Sequence, residues 1–535
     1  MSLLEHRATA PVGDSSAGRP SPLEWILCLY LPFLAVVALT FAATPDDAFI
    51  TLRFAANLVH GYGLAFNRGV HVQGFTSPLD LVVAVVAYLL PGGFTLLKMK
   101  IASLIFGLLA IREAGMTLFG IAIPRWASRV GCLTVALCPV IGFASGNALE
   151  TTLEMWLLMA VARRLVVTDW RRSIGGLAGI SFAAVLARPD AIAPLACMAL
   201  AGLLIERQES ILHRVSWFAG ALLAVVVTVA AELAYFGSAL PNTYYAKDLP
   251  LGRALRYGAT YLDSLLQPVG YIGQQLNVVT LLEALLLLAG TWAVCTRFAR
   301  CGYLLAIIVG QALFVLKSGG DWMIGGRFLA PAAIPFIVLE VLGALVVADV
   351  SSRWLGPRAG RSPAMASAIL LLATSIIPLN SVHTPAWEIS GVDDKSLLAS
   401  GQYPQLSALW AGLPSVLSCV APGSTVATSE VGYLGFVRLD LRMLDLRGLT
   451  DSAIARSAPD SLKQPGGVDD PEWYESTSPV GAVLLRAKPS VIVEFEPSPE
   501  ALALGGTYRL ARTLVFDRGS VYIYVPVHAP GICPA

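Results

Sequence analysis

Eleven apolar stretches fill the chain up to residue 380, near 25–43, 98–122, 130–146, 148–166, 174–187, 191–206, 212–236, 277–297, 302–316, 328–349 and 364–380. A helix needs about 20 mostly apolar residues to cross a bilayer. Segment 77–92, with Pro91, Gly92 and Gly93 at its end, reads as re-entrant or interfacial, or as one of two short crossings inside 77–122. None alternates apolar with polar residues as a membrane β-strand does. Only 14% of the 535 residues are charged, against about a quarter in soluble domains. A single water-soluble globule is excluded. Lys+Arg 37 balances Asp+Glu 36, so no bulk charge calls for nucleic acid. The pattern predicts a polytopic α-helical membrane protein of about 11 to 13 transmembrane helices.

Short cytoplasmic loops accumulate Lys and Arg. Arg125/Arg129, Arg163–Arg172, Arg207/Arg214, Arg297/Arg300 and Arg353/Arg358/Arg361 recur after every second span, and the tail carries Arg7 and Arg19. The expected organisation is a cytoplasmic tail at 1–24, a transmembrane domain at 25–383 and an extracytoplasmic soluble α/β domain at 384–535, in the cell membrane. Loops 44–76, 144–150, 188–190, 237–276 and 317–327 then face outward with everything after 381. A signal peptide ending near Ala43 is the alternative for the first span. In the soluble domain, strand-like runs appear at 424–428, 434–446, 482–495 and 507–526, and a helix-like one at 451–457. Cys419 and Cys533 are the two cysteines there and form a disulfide candidate in an oxidising compartment. No Cys/His cluster has zinc spacing.

The outward loops hold the chemistry. The first opens Thr44-Pro45-Asp46-Asp47; Thr44 suits a helix cap, Pro45 its first position, and the two acids its first turn. That helix should run to about Val59 and stop at Gly61-Tyr62-Gly63. Asp46, Ile50, Arg53 and Asn57 share one face and Phe49, Leu52 and Ala56 another, as in a helix lying in a membrane surface. The two acids are either capping carboxylates or chemistry at the mouth of the bundle. Further out come Glu150 with Glu154, the pair Arg188/Asp190 (whose simplest reading is mutual pairing), Asn242-Thr243-Tyr244-Tyr245-Ala246-Lys247, and Lys317 through Arg327 around Asp321. Tyr and Lys at such places are also ordinary membrane anchors. Four glycines in the last loop allow close approach to a ligand, and its cations suit phosphate oxygens.

Taken together, Asp46-Asp47-Ala48-Phe49-Ile50-Thr51-x-Arg53, Gly61-x-Gly63-x-x-Phe66-Asn67 and Gly74-Phe75-Thr76-Ser77-Pro78-Leu79 resemble the first outer loop of AftB-like arabinofuranosyltransferases, of the GT-C class. Leu149-Glu150-Thr151, Arg188-Pro189-Asp190, Pro241–Lys247, Gly319–Phe328, Gly432-Tyr433-Leu434-Gly435 and Asp445–Asp451 are similar to later family motifs. The resemblance implies a GT-C-like fold and transfer of arabinofuranose from a polyprenyl-phosphate donor, decaprenyl-phosphate arabinose in the named family, to a cell-envelope glycan or other exported acceptor. It puts Asp47, supported by Asp46, at the reacting centre. Arg327 and Lys247, then Lys317 and Arg53, would stabilise the leaving phosphate, and Glu150, Arg188, Asp190, Asn242, Tyr244, Tyr245 and Asp321 complete the substrate-binding set. An inverting transfer would use the carboxylate as general base; the named family's β-linked products imply retention. No bound nucleotide is implied, and a divalent cation stays open. The tail after Asp451 is shorter than in the family, which leaves the acceptor open. A hexosyl- or mannosyltransferase of the same class is the near alternative. A lipid-linked-sugar transporter would need mid-membrane charges and inverted repeats, and a scaffold binding a cell-wall partner would leave the one-sided polar motifs unused.

Overall fold

The computed structural model describes residues 20–41, 44–263, 278–321, 323, 326–355, 417–465, 467–468, 478–494, 504–516 and 519–529. The tail, stretch 364–380, residues 384–416 and Cys533 lie outside them. Among the described residues, helices at Pro22–Thr40, Thr95–Gly120, Ile211–Phe236, Ala299–Ser318 and Ala330–Trp354 are long and apolar enough to cross a membrane. Shorter ones fill the remaining expected places: Arg125–Leu137 with Pro139–Ala144, Thr151–Val167, Ile174–Ala187, Ile192–Ile205 and Val278–Thr296. Segment 77–92 forms the short helix Pro78–Leu89, capped by Ser77 with Pro78 at its start. Small residues let neighbouring helices touch: a Cβ on Gly290 would meet Leu339 O at 2.0 Å, and one on Gly343 would meet Leu286 O at 1.9 Å.

The loops sort by chemistry. Arg171 and Arg300 converge on Glu206, Arg297 and Arg353 on Asp349, and Arg125 and Arg129 on Glu24. These are the arginine-bearing loops of the sequence pattern. The mixed acid and cation loops meet one another instead, as described below.

The C-terminal domain carries a five-stranded sheet in the order β2-β1-β5-β7-β6. β1 (Thr425–Thr428), β2 (Arg442–Asp445) and β5 (Val491–Glu494) are parallel; β7 (Gly519–Pro526) runs antiparallel to β5 and to β6 (Tyr508–Phe516). A small antiparallel pair, β3 (Lys463–Gln464) and β4 (Gly467–Val468), stands apart. The runs expected as strands at 434–446 and 482–495 are each a helix followed by a strand: Gly432–Val437 then β2, and Pro479–Ala487 then β5. Short apolar runs carry no period long enough to separate the two, and the run at 507–526 is a hairpin. Alternation along the strands covers both faces of the sheet. Val426, Met443, Val491 and Val493 join the core of the first-loop helix, with Phe49, Ile50, Leu52 and Phe54. Ala427, Leu444 and Ile492 pack on Ile454, Val480 and Leu484 behind.

The first-loop helix, Asp47–Val59, is thus not an open membrane-surface helix, because both of its faces are buried. Its polar face reaches into the C-terminal domain. Arg53 donates from Nε to Phe66 O (2.7 Å), from Nη1 to Gly435 O (2.5 Å) and from Nη2 to Leu441 O (2.7 Å). Burial, with Arg68 nearby, pushes this guanidinium down to about 9, and the carbonyl dipoles are what it gains in exchange for water. Asn67 donates to Met443 O (2.7 Å) and accepts from Met443 N (2.9 Å), as an added strand would. Asn242 donates to Gly448 O (2.6 Å). A Cβ on Gly432 would sit 2.0 Å from Asp46 O, and one on Gly435 2.9 Å from Arg53 Nη1. The Gly-Tyr-Leu-Gly motif is therefore a docking surface.

Asp445, at the end of β2, accepts from Arg447 N (2.9 Å), Thr450 N (2.7 Å) and Thr450 Oγ1 (3.0 Å). Burial nevertheless raises its carboxyl to about 7. A native value above the unfolded one stabilises the fold fully below about pH 4, and that contribution is lost as pH rises through the native value. The melting temperature should therefore fall between those limits and the slope should flatten in Asp445→Asn. An unaltered slope in the variant would assign the pH dependence to another group.

Candidate active site

The helix of the first loop begins at Asp47, with Asp46 as its N-cap residue rather than Thr44. The adjacent acids point to different partners. The carboxylate of Asp46, 3% exposed, accepts from Gly432 N (2.6 Å) and Tyr433 N (2.8 Å). That anchors the C-terminal domain directly beside Asp47.

Asp47 faces Arg327, with Nη1 3.3 Å from Oδ2, and the same guanidinium holds Asp321 at 2.8 Å through Nε. The loop bringing Asp321 and Arg327 there leaves helix Gly302–Ser318 through Gly319 (φ 83°) and Gly320 (φ 90°). A Cβ on Gly320 would meet the Tyr261 ring at 2.6 Å, so the turn requires glycine in conformation and in space. Burial pulls the Arg327 guanidinium down, but Asp321 and Asp47 outweigh it and leave it above its ordinary value. Lys247 closes the short helix Asn242–Lys247 in the field of the same two acids, with no direct ion pair among the described residues. Burial holds its ammonium below the usual lysine range despite them.

A second cluster adjoins the first. Arg188 is buried and contacts Glu150 (2.8 Å), Glu154 (3.1 Å) and Asp190 (3.0 Å). Its guanidinium carbon lies 4.9 Å from the Phe328 ring centre, and that of Arg327 lies 5.2 Å from the same ring. Both guanidinium groups thus lie within cation–π distance of the Phe328 ring. Loops one, two, three, four and five of the mixed type each contribute to this end of the bundle through Asp47, Glu150, Arg188, Lys247 and Arg327.

Other candidates lie away from this centre. Arg53 and Asn242 belong to the domain junction. Lys317 forms an exposed pair with Asp248 at 3.5 Å. Tyr244 is exposed; Tyr245 lies under Arg456 (4.5 Å) and its hydroxyl bonds Ser238 at 3.3 Å. Cys419 is disulfide-bonded, and its expected partner Cys533 lies outside the described residues. No group of three His, Cys, Asp or Glu arranged to hold a metal ion occurs among the described residues.

Glu430 is the residue that sequence reasoning missed. It follows β1, and its Oε1 is 4.0 Å from Arg447 Nε. Burial first, then Asp46, raise its carboxyl well above the usual range, with Asp47 adding to the effect and Arg447 opposing it. Glu430 stands two residues before the Gly432–Gly435 motif and carried no local signal of its own.

Comparison with known proteins separates fold from identity. A domain family of unknown function (DUF8728) matches residues 404–525, and no curated protein matches the chain. Among solved structures, the chain is similar to ArnT from Cupriavidus metallidurans bound to undecaprenyl phosphate, with TM-score 0.58 at 13% identity over 96% of this chain and 100% of that one. The apo state of the same protein gives TM-score 0.56 at 14% identity over 94% and 98%. This chain has the ArnT-type GT-C fold, a multi-pass helical membrane domain followed by a sheet-containing domain.

Proposed function

We propose that the chain is a membrane glycosyltransferase that moves a sugar from a polyprenyl-phosphate donor to an exported glycan acceptor. The observation that carries this reading is the Asp47–Arg327–Asp321 chain beside Lys247, at the mouth of a GT-C bundle. The fold neighbour was solved with undecaprenyl phosphate bound, which supports a lipid phosphate as leaving group.

The chemistry follows from the charges. An acceptor hydroxyl attacks the anomeric carbon, the bond from that carbon to the phosphate oxygen breaks, and its electron pair leaves on the phosphate. In an inverting transfer Asp47 takes the hydroxyl proton; the retention that the arabinofuranosyl resemblance implies would need more than this base. Lys247 and Arg327 neutralise the phosphate as its charge grows, in a site with little water. Of Arg327's two acidic contacts the longer one is to Asp47; this is the contact that yields when phosphate arrives, and it frees the carboxylate as a base. Arg188, Glu150 and Asp190 hold the wall behind Phe328. Arabinofuranose is the sugar to which the sequence motifs point, with mannose and glucose as alternatives. The domain limits at 24/25 and 383/384, and an outward-facing C-terminal domain in the cell membrane, complete the proposal.

A donor screen tests it: purified protein is given polyprenyl-phosphate arabinose, mannose and glucose with octyl glycoside acceptors. Turnover of one donor is expected. No turnover of any donor would move the reading to a transporter or scaffold.

A further inference from the structure

The C-terminal sheet has a reversal in strand order next to the candidate active site. From β1 the chain crosses to β2 on one side, then returns past β1 to β5 on the other. Open α/β sheets bind ligands at the carboxyl ends of strands where the order reverses in this way. Here that place is the loop Ser429–Val431, between β1 and the end of β5.

The loop is held at both sides. Ser429 donates from N (2.9 Å) and Oγ (2.8 Å) to Glu494, the last residue of β5, and Glu430 N donates to Thr428 Oγ1 (3.2 Å). Downstream, Asp46 fixes Gly432 N and Tyr433 N. Glu494 and Asp46 are thus both engaged in holding the loop. The side chain of Glu430 is 11% exposed, and among the described residues no protein donor hydrogen-bonds its carboxyl. A half-buried carboxyl held by one long ion pair, to Arg447 at 4.0 Å, keeps hydrogen-bonding capacity to spare, and one presented by a braced loop beside a reacting centre is suited to a ligand. A carboxyl accepts hydrogen bonds in either protonation state, and the Arg447 guanidinium beside it is a donor. A sugar hydroxyl can donate to the first and accept from the second.

We propose that Glu430, with Arg447 beside it, binds a saccharide hydroxyl adjacent to the one that Asp47 deprotonates, so that the C-terminal domain supplies part of the acceptor subsite. The substrate class is an acceptor with neighbouring hydroxyls. This rests on the transferase reading above.

The test uses the full chain, the polyprenyl-phosphate sugar that it turns over, and n-octyl glycosides of arabinofuranose, mannose and glucose as acceptors, each with its analogue lacking a neighbouring hydroxyl. Glu430→Ala is expected to raise the acceptor KM about tenfold, the scale of one strong hydrogen bond, and to leave the lipid-donor KM unchanged. Glu430→Gln, which keeps one acceptor oxygen, should fall between. The deoxy acceptor should cost the native protein about the same factor and cost Glu430→Ala almost nothing further. Donor and acceptor KM rising together, or an acceptor KM that does not move, would overturn the assignment while leaving the transferase reading intact. If Glu430→Ala does not fold, the deoxy acceptor on the native protein and on Glu430→Gln decides. A native protein that turns over no donor overturns both readings.

Discussion

Asp47→Asn should lower sugar transfer by about a thousandfold, mid-range for the loss of a general base, with little change in melting temperature. The amide keeps an oxygen for Arg327 and removes the site that takes a proton. Asp46→Asn should behave differently. Its carboxylate accepts two backbone N–H groups of the C-terminal domain, and hydrogen bonds to a charged group are each worth about 1.5–3 kcal/mol. The expected result is weaker docking, read as faster hydrogen exchange at Gly432 and Tyr433, with activity lowered through displacement of the neighbouring acid. Steady-state rates and exchange on the same two proteins separate the roles. A native rate in Asp47→Asn would remove that residue from the reacting centre, and unchanged exchange in Asp46→Asn would remove the other from the junction.

Much of the membrane architecture was legible because hydrophobic length is a local property. Ten of the expected stretches coincide with helices among the described residues, and the end of the first-loop helix at Val59, before Gly61 at φ 78°, followed from glycine chemistry. The convergence of the mixed loops followed from the every-second-loop rhythm of arginine. The docking residues were not legible. Arg53 looks like a phosphate ligand in sequence, yet its partners are carbonyls of residues 435 and 441, nearly four hundred positions later. Nothing local distinguishes a guanidinium that binds substrate from one that caps another domain's backbone. The same holds for Asp46 and Asn242, and for Glu430, whose significance lies in a strand order that only the folded sheet reveals.

Arg188 should have the largest effect on stability. It is a single buried cation against Glu150, Glu154 and Asp190, so its loss strands several acids in a place that water does not reach. Removing one partner of a buried ion pair costs about 3–5 kcal/mol. Arg188→Met keeps much of the volume and the contact with Phe328, so the loss isolates the charge; it should lower the melting temperature in detergent by several degrees or prevent folding. The double variant Arg188→Met/Glu154→Gln should recover part of that loss, because it removes one of the stranded carboxylates; coupling between contacting residues of this kind runs to about 0.5–3 kcal/mol. A substrate ligand would behave otherwise. Its variant would melt normally, lose donor affinity and gain nothing from Glu154→Gln. Thermal unfolding of the single and double variants therefore separates a residue that holds the wall of the site from one that grips the substrate.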